Sequence, residues 1–157
     1  MGVHGFQAIG GFTAGGPPEY ALAAMTTIGQ IMTTKLISVE PEATVAEAAT
    51  VMGERHVGSA LVLENGQLVG IFTERDIVRA LSQHFDAPGH PISHWMTRDP
   101  TTIGPTASVQ EALEVMLGQG FRHLPVKEGG SVVGMVSIRD LSEALAEQAE
   151  ESERPEL

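Results

Sequence analysis

The chain has 157 residues, 42% hydrophobic and 18% charged, a globular composition that excludes a disordered protein. Its formal net charge of −11 excludes a general nucleic-acid binder, which needs a basic face, but leaves room for one small anion in a locally basic pocket. The lack of cysteine excludes disulfides, thiol catalysis and cysteine-ligated zinc, and fits a reducing cytoplasm.

No apolar run approaches the ~18 residues of a membrane span, and the N-terminus lacks the basic start and apolar centre of a signal peptide. The expected location is therefore cytoplasmic, without membrane contact. Residues 1–16 hold six glycines and little to bury, which predicts a flexible start. Pro17-Pro18-Glu19 opens a short helix reaching Met25, itself a second possible start of the protein, so residues 1–27 read as a leading segment.

From Ile31 onward, residues 31–81 align with 95–145 at a constant offset of 64, without a gap. Identical pairs include Met32/Met96, Thr33/Thr97, Pro41/Pro105, Glu47/Glu111, Met52/Met116, Gly70/Gly134, Arg75/Arg139 and Asp76/Asp140. Two copies are too few for an open solenoid, so a closed pair, each covering the other's apolar face, is the better physical solution.

Each copy opens with a short strand, Ile37-Ser38-Val39 or Thr101-Thr102-Ile103, that runs to a proline. A helix follows behind a capping box, Thr44-x-x-Glu47 or Ser108-x-x-Glu111. Its core stripe is Val45, Ala48, Ala49 and Met52, matched by Val109, Ala112, Leu113 and Met116. A second strand comes next, Ala60–Leu63 or Leu124–Lys127. In the latter, Pro125 lacks a ladder donor, which predicts a strand that is an edge there or begins late. Glu64-Asn65-Gly66 and Glu128-Gly129-Gly130 read as hairpin turns. A third strand and a second helix complete a β-α-β-β-α unit, giving unit 1 at 28–82 and unit 2 at 95–146.

The third strand meets the second helix in Leu68–Asp76 and again in Val132–Asp140. A strand ending at a helix N-terminus aims backbone N–H groups at one point, which suits a phosphate. Thr73-x-x-Asp76 and Ser137-x-x-Asp140 are equally capping boxes, which only start helices. The repetition of the whole junction is what separates a binding reading from a capping one.

Residues 83–94, with Pro88-Gly89 and Pro91, read as a linker. The linker region's His84, His90 and His94 have no cysteine and no acid nearby beyond Asp86, so ordinary histidines are expected there and no metal. The tail, residues 147–157, sets five glutamates against Arg154 and reads as a solvated, fraying helix end.

The tandem units, their Met-Thr openings and the Gly-apolar-apolar-Thr/Ser-x-x-Asp signature together resemble a CBS-domain pair, the Bateman module, over about residues 28–146. The resemblance implies an α/β (α+β) fold in which two units pack sheet to sheet about a pseudo-twofold axis. It also implies two clefts between the units that take AMP, ADP, ATP, NAD or S-adenosylmethionine, and a disc-like homodimer.

Carried over by that resemblance, Asp76 and Asp140 would accept from the two ribose hydroxyls, and Thr73 and Ser137 would donate to phosphate. An ionised carboxylate only accepts, which matches a diol with two donors. Arg122, His123 and Arg139 would meet phosphate in the Thr73/Asp76 cleft, where an arginine fork suits phosphate oxygens. Gly58 and Ser59 stand at the matching positions of the Ser137/Asp140 cleft and bring no charge, which leaves Arg75 as its phosphate partner. The first cleft should then favour phosphate-rich ligands. Adenine would lie near Ile37 in one cleft and Thr101 in the other. The plain alternatives are an ion-pairing surface Arg122 and a half-buried strand histidine at His123.

Two functions follow from this reading. One is a regulatory nucleotide sensor that acts through dimer geometry on a separate effector protein. Another is a structural, dimerising protein with empty clefts. An enzyme is not expected, because no nucleophile elbow or Walker loop is present and Glu74 is a favourable first-turn residue in any case.

Overall fold

A computed structural model describes residues 26–155. The expected glycine-rich flexibility and the helix at Pro17–Met25 lie outside these residues. The elements run α1 (Ile28–Ile31), β1 (Ser38–Val39), α2 (Val45–Arg55), β2 (Ser59–Glu64), β3 (Gln67–Thr73) and α3 (Glu74–Gln83). Two 3₁₀ turns, Ala87–Gly89 and Ile92–His94, lead to β4 (Thr97–Arg98), α4 (Val109–Gln119), β5 (His123–Glu128), β6 (Ser131–Ser137) and α5 (Ile138–Glu153).

The hairpins form where the turn chemistry places them. Asn65 and Gly66 have φ of 51° and 77°, and Gly129 and Gly130 have 58° and 83°. Two consecutive positive φ values match the right-handed twist of the flanking strands, and Asn and Gly tolerate them well. The helix stripes also hold. Val45, Ala48 and Met52 are buried on α2, and Val109, Ala112 and Met116 on α4. Both capping boxes close, with the Glu47 and Glu111 amides donating to Thr44 Oγ1 at 3.1 Å and Ser108 Oγ at 3.0 Å.

The first sheet has the order β1-β2-β3-β4, with β1 parallel to β2 and the other pairs antiparallel. The second sheet is β5-β6, flanked by single bridges, Ile103 to Val126 and Thr33 to Met135. Subtracting the offset, these bridges repeat β1-β2 and β3-β4. The strand expected at Thr101–Ile103 is thus reduced to Ile103, and Pro125 is the reason. In the first sheet the Leu61 N–H donates to Ile37 O at 3.0 Å. Pro125 stands at Leu61's place and has no N–H for Thr101.

Each sheet is completed by the other copy's opening. Thr97 and Arg98 pair with Ile71 and Gly70 of β3, while Thr33 and Met135 exchange both backbone hydrogen bonds, at 2.9 and 3.0 Å. The glycines of the repeated signature serve this crossing. A Cβ on Gly70 would lie 2.7 Å from Met96 Sδ and 2.9 Å from Thr97 O, and Met32 covers Gly134 in the same way.

The exchange extends into the cores. Ile28 is fully buried among Val109, Leu124 and Leu141 of the second unit. Ala87, Ile92, Trp95 and Met96 are buried with Val45, Val62 and Phe72 of the first. Residues 83–94, read from their prolines as a linker, therefore supply core to unit 1. Extending the repeat three residues upstream of Ile31 pairs Ile28 with Ile92, and that was the available signal. Between the two sheets, Leu61, Ile71 and Met135 form a third apolar cluster.

The acidic tail begins as a solvated helix end. Helix α5 continues to Glu153, and Gln148 Nε2 donates to Thr26 Oγ1 at 2.7 Å. Its Ala, Glu and Gln content carries the helix well past the repeat. Leu141 is fully buried in its own unit, whereas Val78 and Leu81 on α3 are 67% and 50% exposed.

Candidate functional site: two clefts between the repeats

Thr73 and Ser137 end β3 and β6 and cap α3 and α5, which brings both acidic residues to strand–helix junctions. The Thr73 N–H donates to Asp76 Oδ2 at 2.9 Å, and the Thr73 hydroxyl donates to the same oxygen at 3.1 Å. The Ser137 N–H donates to Asp140 Oδ2 at 2.7 Å, while the Asp140 N–H donates to Ser137 Oγ at 3.1 Å. The capping reading is therefore fulfilled at both junctions. The Ser137 hydroxyl proton remains free for the cleft, whereas that of Thr73 is spent on Asp76.

The carboxylates differ on their second oxygens. Asp76 is only 7% exposed, and its Oδ1 accepts from Arg79 Nη2 at 3.2 Å. The same guanidinium nitrogen donates to Trp95 O at 2.6 Å, and the Arg79 head lies 5.7 Å from the Trp95 ring centroid. The position matching Arg79 in the second copy is Glu143, which pairs with Arg139 at 3.2 Å. Among the described residues, no group donates to Asp140 Oδ1.

Two cavities open beside these junctions. A small one of about 230 Å³ is lined by Ser137 and Asp140 of the second unit and by Ile37, Gly58 and Ser59 of the first. A larger, open one of about 1180 Å³ brings together Thr73, Asp76, Arg122, His123, Arg75 and Arg139.

Two residues stand elsewhere than the carried-over pattern put them. Arg75 lines the large cavity and not the Ser137/Asp140 cavity, because its helix turns it toward the α3–α5 side. Thr101 lines neither: without a Pro125 donor its strand does not form, and its hydroxyl donates to Gln119 Oε1 at 2.9 Å.

Sequence reasoning missed Lys35, His56 and Arg79. Lys35 and His56 line the small cavity, which is therefore not without basic groups. The signal was a charge reversal across the repeat, Lys35 against Asp99 and Arg79 against Glu143. Arg79 could also have been read from its i+3 spacing to Asp76.

His123 borders both cavities. Burial lowers its pKa from the ordinary 6.5, opposed by the carboxylates of Glu74, Asp140 and Asp76 and reinforced by Arg122. That shift favours the neutral imidazole. His90 stacks on Trp95, His84 meets Trp95 edge-on, His94 meets His90 edge-on, and His90 Nε2 lies 3.3 Å from Asp86 Oδ1. Among the described residues, no group of three or more His, Asp or Glu is placed to hold a metal ion. No helix among them is long and apolar enough to cross a membrane.

Comparison with known proteins agrees with this architecture. The CBS domain family model matches residues 28–83 and again 92–147. The chain belongs to the CBS-domain family and carries two such domains in tandem. It is 46% identical over 123 residues to an uncharacterized 17.7 kDa protein in the bps2 3′ region of Acidianus ambivalens, covering 76% of this chain and 73% of that one. The CBS domain-containing protein YhcV of Bacillus subtilis is 34% identical over 119 residues, covering 75% of this chain and 84% of its own length. Among solved structures, the CBS domain pair of protein MJ0100 matches with a TM-score of 0.72 at 25% identity, over 79% of this chain and 98% of that one. That pair was solved in complex with 5′-methylthioadenosine and S-adenosyl-L-methionine.

Proposed function

We propose that this protein is a regulatory module that binds adenosine-containing ligands, of the AMP, ATP, NAD or S-adenosylmethionine kind, in the clefts between its two CBS domains. One observation carries the reading. Asp76 and Asp140 stand at equivalent strand–helix junctions, and each forms part of a cavity wall between the repeats. Each carboxylate can accept from a ribose diol, and the helix N-terminus behind it favours a phosphate. The ligands of the MJ0100 pair support the chemical class. Binding is read out through the geometry of a homodimer to a separate effector protein, and the exposed Val78 and Leu81 on α3 suit that contact.

The small cavity holds Lys35, His56 and His123 beside Asp140, so it too accepts an anionic or polar group. The large cavity, with four arginines, favours the more phosphorylated ligands. Calorimetric titration with AMP, ATP, NAD and S-adenosylmethionine tests the proposal, on protein stripped of co-purified ligand by reversible unfolding. Saturable binding of one of them is expected, and its stoichiometry counts the clefts in use. Silence toward all four, with no thermal stabilisation at millimolar ligand, sinks it.

A second reading has its own support: both aspartates complete capping boxes through Oδ2 without any ligand. On that reading the clefts stay empty and the chain serves dimerisation alone.

A further inference from the structure

Resting on the cleft reading above, we propose that Arg79 is a phosphate-dependent latch on the Asp76 cleft, which makes that cleft selective for phosphate-bearing adenine nucleotides over uncharged adenosine derivatives. Asp76 Oδ2 is taken by the Thr73 amide and hydroxyl, so Oδ1 is the oxygen left for a diol. Arg79 Nη2 holds that oxygen at 3.2 Å and is itself anchored on Trp95 O at 2.6 Å. A ribose reaching the buried Asp76 meets a carboxylate with its second oxygen already engaged, and Arg79 must leave before both hydroxyls are accepted.

The guanidinium has somewhere to go. Its side chain is half exposed, and it lines the same large cavity as Arg122 and Arg139. A ligand with phosphates offers it new acceptors as the ribose takes over Asp76, so one charge-assisted pair is exchanged for another. A nucleoside without phosphate offers nothing in return, and the guanidinium must go to solvent. The Asp140 cleft has no such latch, because Glu143 occupies the matching position and pairs with Arg139. The two clefts thus sort ligands by phosphate content through one residue of the second helix.

The test uses ATP and 5′-methylthioadenosine on the full chain carrying Asp140→Asn, which silences the other cleft, with and without Arg79→Gln. Trp95 is the chain's single tryptophan and lies against Arg79, so its emission reports the latch directly. With Arg79 present, ATP is expected to bind about tenfold or more tighter than 5′-methylthioadenosine, and the change in Trp95 emission to saturate at correspondingly lower ATP concentration. With Arg79→Gln, 5′-methylthioadenosine should bind tighter, ATP weaker, and the ratio should fall to within about threefold. Arg79→Lys keeps the charge but not the fork, so an intermediate ratio supports the latch. An unchanged ratio in Arg79→Gln, in protein whose thermal unfolding matches the parent, overturns the latch and leaves the cleft reading standing. If the chain with Arg79 binds neither ligand, the latch is overturned, while the cleft reading falls only with silence toward all four ligands named above.

Discussion

Leu61 and Pro125 occupy the same place in two sheets, and only Leu61 has an N–H to donate to the strand beside it. Its bond to Ile37 O, at 3.0 Å, secures the parallel β1-β2 pair and places Ile37 in the wall of the small cavity. Leu61→Pro should make the first sheet resemble the second. The expected cost is about 2 kcal/mol in urea unfolding, from a lost hydrogen bond and an imperfect fit of the ring. Weaker ligand binding in the Asp140 cleft should accompany it. A variant as stable as wild type would show that the β1-β2 pair contributes little.

Gly70 is required by a close crossing, whereas Gly53 is not. A Cβ at Gly70 meets backbone as well as Met96, so Gly70→Ala should destabilise by about 1–3 kcal/mol. Gly53 lies inside α2 with nothing within 4 Å of its absent Cβ. Gly53→Ala should stabilise by about 0.5–1 kcal/mol. Opposite signs in the same denaturation assay are the expected outcome.

The exchanged isoleucines tie the two units into one folding event. Ile28 and Ile92 are both fully buried, each in the core of the other repeat. Ile28→Ala and Ile92→Ala should each cost about 2–5 kcal/mol. Both variants should still unfold in a single transition, with coincident fluorescence and circular dichroism curves. Two separated transitions in either variant would contradict that coupling.

Asp76 is expected to matter twice. Asp76→Ala removes the acidic half of the capping box that starts α3, at about 1 kcal/mol of stability. It should also weaken ligand binding in its cleft by about 1–3 kcal/mol, the scale of hydrogen bonds to a charged acceptor. Asp76→Asn keeps an oxygen for the Thr73 amide and should retain more of the stability than of the affinity. Calorimetry and thermal melts on the same samples separate the two effects.

His123 supplies a pH dependence of definite sign. Its folded pKa lies below the ordinary 6.5, with burial the leading cause, so below that pH the unfolded chain binds more protons than the folded one. The stability due to its neutral form is fully present above 6.5 and is lost as the pH falls toward the folded value. His123→Gln should flatten the stability profile on the acid side of 6.5. A phosphate bound beside the imidazole would raise its pKa, so binding should take up protons, visible as buffer-dependent heats.

The sequence by itself determined the repeat, the order of elements, the helix stripes, the hairpin turns and the two capping junctions. Each of these depends on residues a few positions apart: a period, a positive φ, a hydroxyl three residues before an acid. It also brought the CBS resemblance into view, because two copies of one pattern carry more information than a four-residue signature. Tertiary structure alone decided that each copy's opening segment is exchanged into the other's sheet and core. That exchange buries Ile28 and Ile92 and crosses two methionines over two glycines, contacts between positions far apart in the chain. It also decided which oxygen of which aspartate stays free. Asp76 and Asp140 read alike in sequence, and they differ because Arg79 folds back onto one while Glu143 turns away from the other.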